Sequence, residues 1–400
     1  MANMTEISRT MAQNAFRAKT TDEAISILRE NAQFRTLKDI LTAADPQHDS
    51  EKELKKRIVE KLVLHHPDKK QESLERNVRN WFSGRVRTIS REMAFELCLV
   101  LELSLEEANR FMMRVTEEAI HWCNPEEIVW GYAIVHKLSY EETMNLIAET
   151  KKILPEGSFG NDSKNVYTHL VRSEVLQQLQ NTPEQLLSYI AENKDRWGAY
   201  HNTAYDLFDK YMRLLQNATT DTGEFELRKE QYEKQKKRDA EAKMDDALSV
   251  EDILDTYFFR KCVESTTEMS ILQRSIRMNW PDESTLSKMK NRAPNADVSR
   301  KVLILLFLAT NGDSSEFQME DDEEFDERRT RDRVFRDLYL RLNRMLSRCG
   351  FQTLDPRSPF DWMILFCICA EDIWETDRRL EEVLSGLFPV SEESGNEIKE

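Results

Sequence analysis

Glycine and proline are scarce in this chain, with ten of each among 400 residues. A fold built from many β-hairpins needs these residues at its turns, so their scarcity disfavours a turn-rich β protein. The abundant residues are instead Leu, Glu, Lys, Arg, Met and Gln, which lose little rotamer freedom in a helix. The sequence therefore predicts an all-α protein.

Long apolar runs are also lacking. The longest ones, at residues 302–309 and 362–370, are far shorter than the roughly 20 residues that a helix needs to cross a bilayer. The first residues contain no apolar stretch of the kind that directs export. We therefore expect a soluble protein located in the cytoplasm.

Sequence motifs for metal binding and catalysis are missing too. The six cysteines lie mostly inside apolar runs without metal-ligand spacing, which indicates buried free thiols. No Gly-rich phosphate loop, His-Glu-x-x-His or Gly-x-Ser-x-Gly motif occurs. The seven histidines are scattered, and the adjacent His65 and His66 are expected to point to different helical faces. We expect a non-enzymatic protein with no cofactor and no metal.

The net charge of −16 argues against a protein that coats nucleic acid generally, because a polyanion repels another polyanion. It leaves open DNA binding through a local basic patch. One acidic run, residues 313–327, contains nine acidic side chains and no basic one. Such a composition is typical of a surface loop, and we interpret residues 313–333 as an insertion.

One pattern occurs twice along the chain. The first half contains Ser90-Arg91, then Asn109-Arg110 and Pro125, and the second half contains Ser299-Arg300, then Asn343-Arg344 and Pro359. The step from Asn to Pro is 16 residues in both halves (109 to 125 and 343 to 359). The pattern predicts two diverged copies of one helical module, the second carrying the acidic insertion.

The domain organisation follows from this repeat. We predict a flexible leader at 1–20, module 1 at 21–150, a linker and charged helical middle segment at 151–247, module 2 at 248–390, and a polar tail at 391–400. Within the middle segment, twelve of the eighteen residues at 226–243 are charged, which favours a solvated helix or tether.

A basic helix is predicted over residues 73–82. Leu74, Val78 and Trp81 share one helical face, whereas Arg76, Arg79 and Asn80 lie off that stripe. Gly84 follows as a helix stop. Residues 69–91 hold seven basic and two acidic side chains, and residues 274–301 hold seven basic and three acidic ones. Two basic islands therefore occupy equivalent places in the repeat.

Residues 55–110 resemble the later half of the helix-turn-helix domain of phage-repressor-like (Xre-type) regulators. The matching positions are Val78, Trp81, Gly84-Arg85, Ser90-Arg91, Ala94, Leu97, Leu101 and Leu103-Ser104. The compact Thr-Gln, Glu-Leu-Ala, Gly element that family members carry upstream is absent, and residues 58–70 stand in its place.

This resemblance implies a regulator of a bacterial or mobile-element locus that binds double-stranded DNA. We expect Arg76, Arg79 and Asn80 to read base edges in the major groove, and Lys69, Lys70, Arg85 and Arg87 to hold phosphates. In module 2, Lys288, Lys290 and Arg292 are expected to contact a second half-site, unless that module mediates assembly with a protein partner or a second copy.

Two other functions stay open. The basic islands could pair with acids, leaving a helical scaffold that binds only proteins. Alternatively, the basic helix at residues 54–62 followed by His66-Pro67-Asp68 resembles the J-domain of Hsp40-type co-chaperones, which implies engagement of an Hsp70. Leu37–Leu41 is similar to the short helix that precedes it in that family.

Overall fold

The computed structural model describes residues 6–31, 33–84, 86, 89–154, 168–197, 202–217, 270–277, 280–281, 283–291, 298–310, 327–370 and 375–388. Within these ranges, the prediction of an all-α protein is confirmed: eighteen α-helices are present, and the only β-type pairing is an isolated antiparallel bridge between Glu118 and Phe351. None of the described helices combines the length and the apolar character that a membrane crossing requires.

The first nine helices precede residue 154. They are α1 Glu6–Arg17, α2 Thr21–Ser26, α3 Leu37–Ala44, α4 Glu51–His65, α5 Gln71–Phe82, α6 Arg91–Val100, α7 Leu105–Thr116, α8 Pro125–His136 and α9 Tyr140–Ile153. Short side chains cap many of these helices. Ser50, Ser104 and Ser139, for example, each form a capping box with the Glu three residues later, which fixes where α4, α7 and α9 begin.

Nine more helices follow. They are α10 Thr168–Gln178, α11 Pro183–Glu192, α12 Asn202–Asn217, α13 Ile271–Arg277, α14 Glu283–Lys290, α15 Arg300–Ala309, α16 Glu327–Arg348, α17 Pro359–Ile368 and α18 Thr376–Leu387. The charged run 226–243 and the predicted start of module 2 at residue 248 lie outside the described residues, as do most of the acidic insertion and the tail 391–400.

The buried apolar side chains form two cores. The first core contains residues between 37 and 197, and the second joins residues 11–28, 204–215 and 276–388. The second core is therefore assembled from three separate parts of the chain. Local sequence patterns do not reveal such an assembly, because it depends on which helix faces meet.

Within the flexible leader predicted at residues 1–20, the structure describes helix α1. Helix α1 buries Met11 and Ala15 in the second core, and the Trp362 indole N–H donates to the Met11 carbonyl over 2.9 Å. The apolar stripe of α1 is too short to identify a buried helix from the sequence. Its burial is seen only in the structure, where α1 packs on α17.

The middle segment predicted at 151–247 is not one linker. Helices α10 and α11 bury Val175, Leu186 and Ile190 in the first core, whereas α12 buries Tyr205 and Phe208 in the second. Module 1 accordingly extends past residue 150, and residues 21–28, which were assigned to it, pack in the second core instead.

The two halves carry matching hydrogen bonds at the positions of the sequence repeat. The Asn109 side-chain oxygen accepts from Ile120 N–H over 3.0 Å, and the Asn343 oxygen accepts from Leu354 N–H over 2.8 Å. Both bonds span eleven residues. They support the predicted repeat, which remains a prediction for the modules as a whole.

A buried ion pair is also matched between the halves. Arg91 binds Glu127 through Nε and Nη2 at 2.6 and 2.7 Å, and Arg300 binds Asp361 through both Nη atoms at 2.8 Å. Each acid also accepts from the backbone N–H six residues before it, at 2.7 and 2.8 Å. The arginine and the acid thus tie together the start of one helix, the start of another and the loop before it.

Candidate nucleic-acid interface

Helix α5 packs against α3 and α4 through its apolar face. Leu74, Val78 and Trp81 are buried as the stripe predicted, and Phe82 is buried beside them. Five residues, 66–70, connect α4 to α5. Gly84 follows the helix with a φ of +74°, a backbone conformation that favours glycine.

The opposite face of α5 is polar and open to solvent. Arg76, Arg79 and Asn80 are exposed, and none of the three makes a side-chain hydrogen bond or ion pair with any residue in the described ranges. Asn77 is exposed on the same helix. Sequence reasoning missed Asn77 as a candidate, although its position off the apolar stripe was a signal for it.

Neighbouring cations on α3 and α4 behave differently. Lys38 and Lys55 both bind Glu51, and Arg57 binds Asp45 and Asp49. Hydrogen bonds from Lys38, and then from Lys55, lower the pKa of Glu51 to about 2. The expectation that basic groups in this acidic chain pair with nearby acids therefore holds for α4, but α5 departs from it.

The turn before α5 contributes two further cations. Lys69 and Lys70 are exposed and pair with no acid that the structure describes. The acids in the same region are Asp68 and Glu72, both exposed, and Glu75, whose carboxylate accepts from Gln71 over 2.9 Å. The predicted phosphate contacts Arg85 and Arg87 lie outside the described residues.

Arg91, counted in the first basic island, does not belong to this surface. Its guanidinium is held by Glu127 and lies 3.5 Å from Glu118. Burial favours the neutral acid at Glu127, but His121 and Arg91 outweigh it and hold the pKa of Glu127 below its usual range. Arg91 is thus an internal ion-pair partner, because its helix start faces the α7–α8 connection.

The second basic island is smaller than its sequence indicates. Lys288 and Lys290 are exposed on α14, and Arg292 lies outside the described residues. Arg300 is only 2% exposed and is bound to Asp361, while Lys301 is buried with its Nζ 5.1 Å from the centre of the Phe360 ring. The last two cations therefore serve the core.

A histidine cluster lies directly behind the α4–α5 turn. His65 Nδ1 and His66 Nε2 lie 2.9 and 3.1 Å from the two oxygens of Glu96, a carboxylate buried on α6. Tyr140 of α9 stacks on His65 with ring centres 4.6 Å apart. Burial, and then the nearby Glu96, raise the pKa of the Tyr140 hydroxyl to about 12.

The prediction that His65 and His66 point to different faces is wrong. His66 is the C-cap of α4, and its backbone is no longer helical, with φ −127° and ψ 68°. Its ring therefore turns toward the same carboxylate as that of His65. Only one sequence signal marks this cluster, an acidic residue inside the apolar run of α6. The described residues contain no group of ligands that could hold a metal ion.

A cleft of about 870 Å³ adjoins the cluster. Its lining combines apolar and charged side chains, among them Leu64, Leu99, Leu103, Met144, Lys61 and Lys137. Lys61 is paired with Glu102 across 3.3 Å. The lining also carries the polar side chains of Ser139, Glu142 and Asn145, so the cleft mixes apolar, polar and charged groups.

Comparisons with known proteins leave the function open. No protein-family model matches the chain, and neither a curated protein nor a solved structure matches it.

Proposed function

We propose that this protein binds double-stranded DNA by placing α5 in the major groove. The observation that carries the proposal is the exposure of Arg76 and Arg79, unpaired among the described residues, in a chain of net charge −16 whose α4 cations are mostly paired. Exposed arginines that pair with no acid in the described residues suit a polyanion. The role that follows is regulation of a bacterial or mobile-element locus in the cytoplasm.

The chemistry of each side chain supports a division of labour. An arginine donates two parallel hydrogen bonds to the O6 and N7 of guanine, and an asparagine pairs likewise with adenine N6 and N7. Arg76, Arg79 and Asn80 are exposed on the solvent face of α5, where they would donate such bonds to base edges. Lys69 and Lys70, in the turn, would neutralise phosphates and release counterions.

Binding to duplex DNA across a salt titration tests the proposal. The double variant Lys69→Ala/Lys70→Ala should reduce the magnitude of the slope of log K against log salt by about 2, since each lost phosphate contact removes about 0.9. The double variant Arg76→Ala/Arg79→Ala should weaken binding by about 1–3 kcal/mol for each base contact that is lost. The control variant Arg9→Ala/Lys152→Ala removes two exposed cations from α1 and α9 and should bind as the unaltered protein does.

Two outcomes contradict the proposal. One is equal loss of affinity in the α5 variant and the control, which would mean a diffuse charge effect. The other is absence of binding at low salt with the fold intact, as judged by circular dichroism. The second outcome would leave the protein-binding scaffold as the explanation of these helices.

A co-chaperone role is the second candidate, and one contact favours it. Phe82 of α5 packs back on the basic helix α4, where Lys55 Nζ lies 5.0 Å from its ring centre. The J-domain resemblance implies a Phe-centred stripe on this helix, and the chain departs from it by placing Asn80-Trp81 before this single Phe. Pro67 and Asp68 are exposed at that turn. Stimulation of an Hsp70 ATPase that disappears in Asp68→Asn would support this candidate. DNA affinity should not respond to that variant beyond the loss of one negative charge.

A further inference from the structure

Helix α16 carries more net positive charge than any other helix that the structure describes. Its 22 residues include eight arginines, three acidic residues and no lysine, which gives a net charge of 8 − 3 = +5. This excess stands out in a chain whose total charge is −16. A local basic surface of this kind attracts a polyanion even when the whole protein is acidic.

One face of α16 is committed to the second core. Val334, Leu338 and Leu342 are buried there, four residues apart. The helix packs on α15 and α17, and Phe335 contacts Phe16 of α1 with ring centres 5.7 Å apart. This packing fixes which face of the helix is turned to solvent.

The solvent face carries a row of four exposed arginines, Arg333, Arg336, Arg344 and Arg348, which we call the arginine row. Leu340, which is 53% exposed, lies in line with them between Arg336 and Arg344. At 3.6 residues per turn, these five side chains fall within an arc of about 120°. The row is about 22 Å long, because the helix rises about 1.5 Å per residue.

No described acid neutralises the arginine row. None of its four members forms an ion pair or a side-chain hydrogen bond with a residue that the structure describes. Asp337 lies beside the row, but it is 3.4 Å from Arg341, an arginine outside the row. The first two arginines of the row are three residues apart and the last two are four apart, a spacing at which like charges repel each other. A bound polyanion would relieve this repulsion.

The composition of this face favours phosphate over other anionic partners. A guanidinium donates two parallel hydrogen bonds to a phosphate. The centre of a protein–protein interface is usually apolar and poor in charge, whereas Leu340 is the one large apolar side chain exposed on the described part of α16. A helix that lies on a membrane buries its apolar face in lipid, but the apolar face of α16 is already buried in the second core.

We infer that the arginine row of α16 binds the sugar–phosphate backbone of duplex DNA and is a second DNA-binding surface of this chain. The inference rests on the proposed function for its ligand, but α5 packs in the first core and α16 in the second. Since every base sequence presents the same phosphates, the row adds affinity without sequence preference.

A salt titration of the full chain with a generic labelled duplex, followed by fluorescence anisotropy, tests the inference. The variant Arg333→Gln/Arg336→Gln/Arg344→Gln/Arg348→Gln should reduce the magnitude of the slope of log K against log salt by about 3–4, since each lost phosphate contact removes about 0.9. Between about 50 and 200 mM salt, the unaltered protein should therefore lose about 100-fold more affinity than the variant.

Two further variants serve as controls. Replacing the same four arginines by lysine keeps the charge but removes the planar fork, so the slope should stay and the affinity should fall. The matched control removes four exposed cations beside the first core and should leave the slope nearly unchanged: Lys137→Gln/Lys152→Gln/Arg172→Gln/Lys194→Gln. In chemical denaturation, the glutamine variant of α16 should be at least as stable as the unaltered protein, because the repulsion along the row is gone.

The possible results separate this inference from the proposed function. A slope that changes in Lys69→Ala/Lys70→Ala but not in the glutamine variant of α16 would overturn the inference and leave binding through α5. The reverse result would support the arginine row and remove α5 from the proposed function.

Three other results are decisive. Equal changes of slope in the α16 variant and its matched control would mean a diffuse charge effect and would overturn the inference. Binding to poly-glutamate that is tighter than binding to duplex, and that is lost in the α16 variant, would assign the row to an acidic protein partner instead. Absence of binding to duplex at low salt would remove the proposed function and this inference together.

Discussion

Replacing Arg300 by Met should be the most damaging single change in the second core. The guanidinium is 2% exposed and makes two hydrogen bonds of 2.8 Å to the buried carboxylate of Asp361. Its Nε also donates to the Gln352 carbonyl over 2.7 Å. Burial opposes the charge of Arg300, but the carboxylates of Asp361 and Glu117 outweigh it and raise its pKa.

The magnitude follows from what the substitution leaves behind. Met fills most of the volume, so the loss is dominated by an unpaired carboxylate in a dry site, which costs about 3–5 kcal/mol of unfolding free energy. Arg91→Met should cost less, because the side chain of Arg91 is 24% exposed whereas that of Arg300 is 2% exposed. Arg378→Met is the control, since its ion pairs are at the surface, where such pairs contribute about 0–1 kcal/mol.

Chemical denaturation followed by tryptophan fluorescence and circular dichroism measures this order. The expected ranking of losses is Arg300→Met, then Arg91→Met, then Arg378→Met. The double variant Arg300→Met/Asp361→Leu should recover much of the loss, because it removes the unpaired charge. A loss for Arg300→Met no larger than for Arg378→Met, or no recovery in the double variant, would refute the reasoning.

Three further predictions concern stability. The pKa of Glu127 is lowered in the folded state, so its contribution to the free energy of unfolding is present above the unfolded pKa of about 4.3 and is lost as pH falls below it. The free energy of unfolding of Glu127→Gln, measured against pH, should therefore fall less steeply in this range than that of the unaltered protein. Gly350 has a φ of +72°, so Gly350→Ala should cost about 1–2 kcal/mol in denaturant titrations. Met11→Ala should lower the free energy of unfolding by about 2–5 kcal/mol and shift the fluorescence of Trp362. An unchanged denaturation midpoint would mean that α1 does not stabilise the second core.

The local elements were accessible from sequence because they depend on near neighbours. The buried stripe of α5 follows from a period of 3.6 residues, and the start of α9 follows from Ser139 with Glu142 three residues later. The repeated Asn-to-Pro step predicted two copies of one module, and Asn109 and Asn343 of that step make matching hydrogen bonds in the structure.

Charge was the property that sequence reasoning misjudged. Arg79 and Arg300 are the same residue type in equivalent-looking basic islands, yet one is exposed and the other is bound to Asp361, 61 residues away. Counting charges along the chain cannot distinguish them, because pairing is decided by distance in space. For the same reason, the sequence did not reveal that His65 and His66 share the carboxylate of Glu96.

Composition and periodicity alone thus determined that the chain is helical and where several helices begin and bury a face, because those properties are set within a few turns. Tertiary structure alone decided that α1 packs in the second core, that the middle segment divides between two cores, and that Glu118 pairs with Phe351. Those outcomes depend on contacts between residues hundreds of positions apart. The free energy of these contacts comes from apolar surfaces that are buried against one another, and no single stretch of the chain shows which surfaces will meet.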